Sequence, residues 1–223
     1  MAIQIFGFPL SIATRRSLVV LKELKVPYEL VIVDFMKGEH RLPENVKYQP
    51  FGEIPYLKDL DNSLILYESR AIGRYLVNKY DPDNKTGLLP RDGIAAAKFE
   101  QAASVEFAKF DPSAMGLTRE LVLKPVFEKQ EGDQAEIAKH LAGLNRILDV
   151  YEDILAKQKY LAGDHVTLVD LWHLSLGTML TDFARSDVLT TEKRPNVQRW
   201  WKDISSRPTW VEVAVKSEKS PVA

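Results

Sequence analysis

The hydrophobic pattern of this chain changes once, close to residue 81, and the change limits the folds open to it. Up to that point, short apolar runs that alternate with polar residues are interleaved with patterns of helical spacing. Residues 81–87 are rich in residues that break regular structure, and the apolar patterns after them are helical. The sequence therefore predicts an α/β domain at residues 1–81, a linker at 82–90 and an all-helical domain at 91–223.

The α/β domain is predicted to have the element order βαβ followed by ββα. A strand near the start precedes a helix that begins after Ser11, and residues 28–33 follow as a strand that we expect to be buried. Two short runs, 54–57 and 64–66, flank a polar turn and indicate a hairpin. A last helix, which carries Ile72, closes the domain.

The predicted helical domain shows two apolar stripes and one capping signal. The first stripe consists of Ala96, Phe99, Ala103, Phe107 and Phe110. The second consists of Ile137, Leu141, Leu144, Leu148, Tyr151 and Leu155. Thr167 and Asp170 have the spacing of a capping box, which marks a helix start. We assign that box to folding rather than to chemistry.

Charge and composition exclude several functional classes. A net charge of -1 and a pI near 6.5 argue against a nucleic-acid surface, and no apolar run is long enough to span a bilayer. The absence of cysteine excludes disulfides, thiolate metal sites and a cysteine nucleophile. The four histidines lack metal-ligand spacing, so we expect no metal. We expect a cytoplasmic protein with no nucleic-acid or membrane partner.

Ser11 lies between a predicted strand and a predicted helix, and two compatible interpretations of it stay open. A lone serine at a helix start is most often an N-cap. A serine hydroxyl at the positive end of a helix dipole can also stabilise a thiolate over a thiol, whose unperturbed pKa is about 8.5. Since the chain has no cysteine, such a thiol would belong to a ligand.

Two segments, 49–56 and 66–72, point to a ligand of amino-acid type. The first is a loop that enters a strand at an X-Pro bond, and the second runs from a short strand into a helix that begins near Glu68 and Ser69. A helix N-terminus offers free N–H groups to an anion, and a glutamate beside it can hold an amine. One small molecule with a carboxylate and an ammonium group would satisfy both.

Four segments, in this order and spacing, resemble the N-terminal part of phi-class glutathione transferases, a plant and fungal group. They are residues 6–16 (FGFPLSIATRR), 38–41 (GEHR), 50–55 (PFGEIP) and 68–72 (ESRAI). The resemblance covers the first domain and continues more loosely through the helical part. It implies a thioredoxin-like domain followed by an α-helical domain, assembled as a homodimer, with glutathione as the co-substrate.

The resemblance places the sulfur and the glycyl end of glutathione at four positions. Ser11 would donate to the sulfur, and His40 and Arg41 would hold the glycyl carboxylate. Glu53 stands where the family more often has glutamine or lysine, and its carboxylate would repel the glycyl end unless a base such as Arg41 compensates. The residues alone leave a plainer alternative for His40, a solvated loop histidine.

The remaining glutathione contacts implied by the resemblance lie at two later motifs. The main chain of Ile54 would pair with the cysteinyl backbone, next to a cis Pro55. Glu68 and Ser69 would take the γ-glutamyl amine and carboxylate. An ordinary trans proline and plain helix capping are the corresponding alternatives.

An apolar electrophile is the expected second substrate, and we expect it at the junction of the two domains. Candidate contacts are Phe8, Ile12 and Phe35 from the first domain and Met115 and Arg119 from the second. Phe35 and Met115 could equally be core or dimer residues.

Phe51 is a candidate dimer contact, because the matching residue of the family plugs a pocket on the partner subunit; a local loop core is the alternative. The implied activity is detoxification by conjugation of the glutathione thiolate to apolar electrophiles. Reduction of organic hydroperoxides would be a second use of the same thiolate. A ligand carrier and a non-catalytic regulator on the same fold are the competing interpretations.

Overall fold

The computed structural model of the chain describes residues 2–218, which divide into two compact units. The first unit comprises residues up to 86 together with those from 208 onward, and the second comprises residues 87–207. The predicted α/β domain thus corresponds to most of the first unit. The segment from 208 onward, which the sequence assigned to the helical domain, groups with the first unit instead.

A four-stranded mixed sheet with the strand order β2-β1-β3-β4 forms the base of the first unit. Its strands are β1 (Ile3–Gly7), β2 (Tyr28–Ile32), β3 (Tyr56–Asp59) and β4 (Leu64–Tyr67). β1 and β2 are parallel, whereas β1–β3 and β3–β4 are antiparallel. The helices of this unit are α1 (Ile12–Glu23), α2 (Pro43–Val46), α3 (Ser69–Tyr80) and, from the end of the chain, α9 (Pro208–Glu218). The predicted βαβ-ββα order is confirmed.

The core of the first unit is formed by the apolar faces of β1, α1 and α3. Ile3 and Ile5 of β1 are fully buried, as the period-two pattern predicts. Val20 and Leu21 of α1 and Ile72 of α3 are fully buried as well, and the two helices pack against each other. This packing fixes the N-terminus of α1 relative to that of α3.

The prediction of a buried strand at residues 28–33 is wrong for β2. This strand lies at the edge of the sheet, and both Glu29 and Ile32 are exposed. A short apolar run suits a central strand and an edge strand alike, because the run does not reveal how many neighbours the strand will pair with.

Helix α9 joins the first unit through α1. Lys22 Nζ lies 2.5 Å from Glu212 Oε1, and the Thr209 hydroxyl donates to the Glu23 carboxylate. Pro208 is the first residue of α9, a position at which proline is well tolerated. A short terminal helix carries no signal of the unit that it will cover, so the sequence could not place it.

The second unit is built from helices in the part of the chain that the structure describes. They are α4 (Gly93–Val105), α5 (Asp111–Thr118), α6 (Gln134–Leu155), α7 (Leu168–Thr178) and α8 (Pro195–Ser205). Wider π-helical segments occur at Glu106–Phe110, Arg119–Glu128 and Met179–Phe183. Within residues 2–218, no helix has the length and apolar character needed to cross a membrane.

The first predicted stripe is wrong at Phe107. Phe99, Ala103 and Phe110 are buried, but Phe107 is 60% exposed and the neighbouring Glu106 is buried in its place. In an α-helix, which turns about 100° per residue, Phe107 is rotated about 80° from Phe99, whereas Glu106 is rotated only about 20° from it. Two successive steps of four residues therefore carry the predicted stripe off the buried face.

The capping box at Thr167 is confirmed and reaches beyond its own helix. Asp170 Oδ2 accepts the backbone N–H of Thr167 at 2.8 Å. Asp170 Oδ1 accepts the N–H of Leu161 at 3.1 Å and the indole N–H of Trp200 at 2.9 Å. This buried carboxylate therefore ties the start of α7 to the preceding loop and to α8.

Candidate functional site

Ser11 is the N-cap of α1. Its backbone has an extended conformation, and its side-chain oxygen accepts the backbone N–H of Thr14 at 3.3 Å. The Ser11 N–H itself donates to the Phe8 carbonyl at 2.9 Å, which closes a tight turn between β1 and α1. Because the Ser11 oxygen accepts a hydrogen bond in this cap, the hydroxyl hydrogen is still available to donate to another group.

The turn that carries Ser11 is held against α1 at a second point. The Phe8 N–H donates to Thr14 Oγ1 at 3.3 Å. A Cβ atom on Gly7 would lie only 2.5 Å from that same oxygen, so a residue without a side chain is needed where β1 ends. The close contact of Gly7 and Phe8 with Thr14 thus fixes the position of the Ser11 hydroxyl.

Two consecutive buried arginines follow in α1 and make hydrogen bonds to opposite parts of the unit. Arg15 is 1% exposed, and its Nε donates to the carbonyl of Pro9 at 3.0 Å. Arg16 is 4% exposed, and its Nη1 donates to Ser69 Oγ at 3.1 Å. Arg15 therefore supports the Ser11 turn, while Arg16 links α1 to the first residue of α3.

Glu68 precedes α3 in an unusual backbone conformation. Its φ of 67° and ψ of 107° lie in a region that non-glycine residues rarely adopt. The Glu68 carbonyl accepts the N–H of Ile72 at 2.8 Å, which is the first hydrogen bond of the helix. The Glu68 side chain is exposed and forms no cap. Ser69 beside it is buried, so the two residues present a free carboxylate and a fixed hydroxyl at one helix N-terminus.

The peptide bond between Ile54 and Pro55 is cis, as the resemblance implied. It immediately precedes β3, and Pro55 is buried while Ile54 is half-buried. In the preceding loop, a Cβ on Gly52 would lie 3.4 Å from Arg41 Cγ. The loop before the cis bond and the Arg41 side chain are thus neighbours, and Glu53 is exposed beside them.

His40 and Arg41 share a 3-10 turn, Glu39–Arg41, between β2 and α2. Burial, aided by the nearby Arg41 guanidinium, holds the pKa of His40 below its usual 6.5. Its Nδ1 is buried and has no hydrogen-bond partner within the described residues. The imidazole is therefore neutral near pH 7, and Arg41 is the cationic member of the pair.

Three aromatic rings connect the Ser11 turn to this 3-10 turn. Phe8 and Phe35 meet edge to face with centroids 5.2 Å apart, and Phe35 and His40 do so at 6.5 Å. Ile12, the first residue of α1, is half-buried. The structure thus brings Phe8, Phe35 and His40 into one chain of ring contacts, with an apolar surface beside the Ser11 turn.

The other two electrophile-site candidates lie in the second unit. Met115, in α5, is 39% exposed, so it is not a core residue of that unit. Arg119 begins the π-helical segment Arg119–Glu128 and pairs with its last residue, Glu128, at 3.0 Å. Its charge is thus partly compensated.

Phe51 is 70% exposed, in the loop that precedes the cis bond. It touches Tyr67 edge to face, with centroids 6.0 Å apart, but this single contact leaves most of the ring uncovered. The alternative of a local loop core is therefore a poor description.

As for metals, no group of three or more His, Asp or Glu side chains within residues 2–218 is arranged to hold an ion.

Comparison with known proteins shows the family to which the chain belongs. The glutathione S-transferase N-terminal domain matches residues 1–78, and the glutathione S-transferase C-terminal domain matches residues 115–208. Glutathione S-transferase hmp2 of Hypomyces subiculosus is 42% identical, over 97% of this chain and 100% of its own. The crystal structure of glutathione transferase F2 from Populus trichocarpa superposes with a TM-score of 0.91 at 36% identity, over 97% of this chain and 99% of that one. The chain belongs to the phi class of the glutathione S-transferase family.

The transferase has the expected fold, a thioredoxin-like mixed sheet followed by helices. It is an enzyme that uses glutathione, which supports the transferase interpretation over the carrier and regulator. A solved glutathione S-transferase I bound to lactoylglutathione is 31% identical over 96% of this chain and 99% of that one, with a TM-score of 0.85.

Sequence reasoning missed the contribution of Arg15 and Arg16. Both stand in the segment that resembles the family, and both fall on a run of α1 that is buried from Thr14 to Leu21. Two charged residues at the start of an otherwise apolar buried run were the available signal, because arginine is seldom buried without a defined partner.

Proposed function

We propose that this transferase binds glutathione on its first unit and generates the thiolate at Ser11. The observation that carries the proposal is the Ser11 cap, in which the side-chain oxygen accepts the Thr14 N–H and leaves the hydroxyl proton for a ligand. A hydroxyl donor at the positive end of α1 stabilises a sulfur anion. Each unit by which the thiol pKa falls corresponds to about 1.4 kcal/mol.

The remaining parts of glutathione would be bound by pairs of residues along the same unit. His40 and Arg41 would hold the glycyl carboxylate, with Arg41 supplying the charge because the pKa of His40 is lowered. The carboxylate of Glu53 would repel the glycyl carboxylate, and the positive charge of Arg41 would offset this repulsion. The main-chain groups of Ile54, next to the cis Pro55, would pair with the cysteinyl backbone.

The γ-glutamyl end would lie at the start of α3. The exposed Glu68 carboxylate suits the ligand amine, and the Ser69 hydroxyl and the free N–H groups of the first helical turn suit the ligand carboxylate. The unusual backbone of Glu68 supports a binding role, because such conformations are concentrated at functional sites.

The chemical step would be a nucleophilic attack by the bound thiolate on an electrophilic carbon. A carbon–sulfur bond forms while the leaving group departs with the electron pair of its own bond, and the enzyme contributes thiol activation and positioning. With an organic hydroperoxide, the thiolate would instead attack the terminal oxygen and break the O–O bond, so that the alkoxide leaves, takes up a proton and becomes the alcohol. The thiol of a second glutathione would then displace water from the resulting sulfenic acid and give glutathione disulfide. Phe8, Ile12 and Phe35 would supply apolar contacts to the electrophile on the first unit, and Met115 and Arg119 of the second unit stay candidate contacts predicted from the sequence.

We further propose a cytoplasmic homodimer in which the exposed Phe51 inserts into the partner.

For the domain division, we propose a thioredoxin-like region to residue 81, a linker at 82–90 and a helical region after it. The α9 segment covers the first region from the far end of the chain.

The test is conjugation of glutathione to an aryl halide, measured together with glutathione affinity for the native enzyme and Ser11→Ala. The proposal predicts that turnover falls at least tenfold while glutathione still binds. Asp92→Ala is the matched control, because it removes the side-chain cap of α4, where Asp92 Oδ1 accepts the Ala95 N–H at 2.9 Å. That control should lose comparable stability and keep its turnover. Turnover that survives in Ser11→Ala would refute the role of Ser11.

A further inference from the structure

We infer that Arg16 is a positioning residue for the γ-glutamyl end of glutathione, acting through Ser69. The guanidinium holds Ser69 Oγ as a hydrogen-bond acceptor, and the Ser69 hydroxyl proton is thereby directed to the ligand carboxylate. The inference rests on the proposed function, since it takes Ser69 as a glutathione contact.

The direction of the Arg16–Ser69 bond follows from the chemistry of its two groups. Arg16 Nη1 lies 3.1 Å from Ser69 Oγ, and a guanidinium can only donate. Ser69 must therefore accept, and its single proton remains for another acceptor. Both side chains are at least 95% buried, so this geometry is held by the packing of α1 on α3 rather than by solvent.

Ser11 and Ser69 are arranged in the same way at the two ends of the proposed site. Each oxygen accepts from a group that can only donate, the Thr14 N–H for Ser11 and the Arg16 guanidinium for Ser69. Each serine thus keeps its own proton for the ligand, a thiolate in one case and a carboxylate in the other. Arg15, next to Arg16, donates to Pro9 in the Ser11 turn and so serves the opposite end.

Two ligands separate the role of Arg16 from a general structural role. One is glutathione, and the other is 4-aminobutyryl-cysteinyl-glycine, which lacks only the γ-glutamyl α-carboxylate. The native enzyme should bind glutathione roughly tenfold tighter than this analogue, as expected when a hydrogen bond to a charged group is lost. Calorimetric titration of Arg16→Gln should bring the two dissociation constants within about threefold of each other. Arg15→Gln is the matched buried control and should keep the full ratio.

A double-mutant cycle tests whether Arg16 acts through Ser69. Ser69→Ala should lower glutathione affinity roughly tenfold, and adding Arg16→Gln to it should lower the affinity little further. Equal losses from Arg16→Gln in both backgrounds would overturn the inference, because the arginine would then act on the ligand without Ser69. An unchanged ligand ratio in Arg16→Gln would overturn it too.

Failure of the inference can be told apart from failure of the proposed function. Native enzyme that binds both ligands equally would refute the γ-glutamyl site itself. If Arg16→Gln does not fold, a crystal structure of the native enzyme with glutathione decides the question. Ser69 Oγ within hydrogen-bond distance of both Arg16 and the γ-glutamyl carboxylate supports the inference, and a carboxylate bound directly by Arg16 without Ser69 overturns it.

Discussion

The Ser11 side-chain oxygen accepts the backbone N–H of Thr14 at 3.3 Å, so one hydroxyl closes the first turn of α1 and still has a proton to give. The two interpretations that the sequence left open for Ser11, helix cap and thiolate donor, use different parts of the same group. The lone pair serves the helix and the proton serves the proposed ligand, so neither role weakens the other.

Glu68→Gly separates binding from stability at the start of α3. Glycine adopts a φ of 67° without strain, so the variant should gain about 1 kcal/mol of unfolding free energy. Loss of the carboxylate should lower glutathione affinity roughly tenfold. Chemical denaturation and calorimetric titration measure the two effects. Glu68→Gln, which keeps a side chain at this backbone position, should lose affinity without gaining stability; a stability gain there would disprove the strain argument.

Glu152 predicts a pH dependence of stability in the second unit. Its carboxylate accepts the N–H groups of Asn196, at 3.0 Å, and Val197, at 2.9 Å, at the start of α8. Burial alone would raise the pKa of Glu152, but these hydrogen bonds outweigh it and the net shift is downward from 4.5. The folded state thus binds the proton less readily than the unfolded state. Its contribution is complete above about pH 4.5 and is lost as the pH falls through the folded value.

Denaturation of the native enzyme and Glu152→Gln across this range measures that contribution. The native enzyme should be more stable than the variant near neutral pH, and the difference should shrink on acidification. Val150→Ala, at an exposed position of α6 without a titratable group, is the control and should show no such trend. A stability difference that grows toward low pH would contradict the assigned direction of the pKa shift.

The elements that depend on nearby residues followed from the sequence. The hairpin and the capping box at Thr167 each rest on residues a few positions apart. The individual glutathione contacts came instead from the resemblance of four short motifs to a known family. The helix start at Glu68 and Ser69, taken by itself, indicated only an amino-acid-like ligand.

What the sequence analysis missed depends on tertiary packing, or on a spacing that was extended past the buried face of its helix. Arg16 and Ser69 are 53 positions apart, and the sequence around neither residue predicts that α1 will pack on α3 at that point. Phe107 was misplaced because two successive steps of four residues rotate a position about 80° around an α-helix, away from the buried face. The edge position of β2 was missed because strand order is a property of the whole sheet.

Asp170→Ala should destabilise the fold by about 3 kcal/mol or more. The cap alone would account for about 0.5–2 kcal/mol, but the structure adds the buried Leu161 N–H and the Trp200 indole, which would each be left without an acceptor. Thermal or chemical unfolding measures the loss. Glu131→Ala, at an exposed loop position, should stay within about 0.5 kcal/mol of the native enzyme. A loss at Asp170 no larger than that of the control would refute the shared-acceptor role.

Phe51→Ala should weaken the proposed dimer. Its ring is 70% exposed, and its truncation should raise the dimer dissociation constant tenfold or more, the scale of an interface anchor. Sedimentation at a series of protein concentrations measures the change. Leu60→Ala removes another exposed apolar side chain, at 56%, and is expected to leave the dissociation constant unaltered. Native enzyme that sediments as a monomer at all concentrations would exclude the dimer.

The central claim is that Ser11 stabilises the glutathione thiolate, and titration of the bound thiol tests it most directly. The ultraviolet absorbance of the thiolate is followed against pH in the native enzyme and in Ser11→Ala, each saturated with glutathione. We predict a bound thiol pKa at least one unit below the free value of about 8.5 in the native enzyme, and a return toward that value in Ser11→Ala. The same lowered pKa in both proteins would show that the thiolate is stabilised elsewhere and would contradict the account.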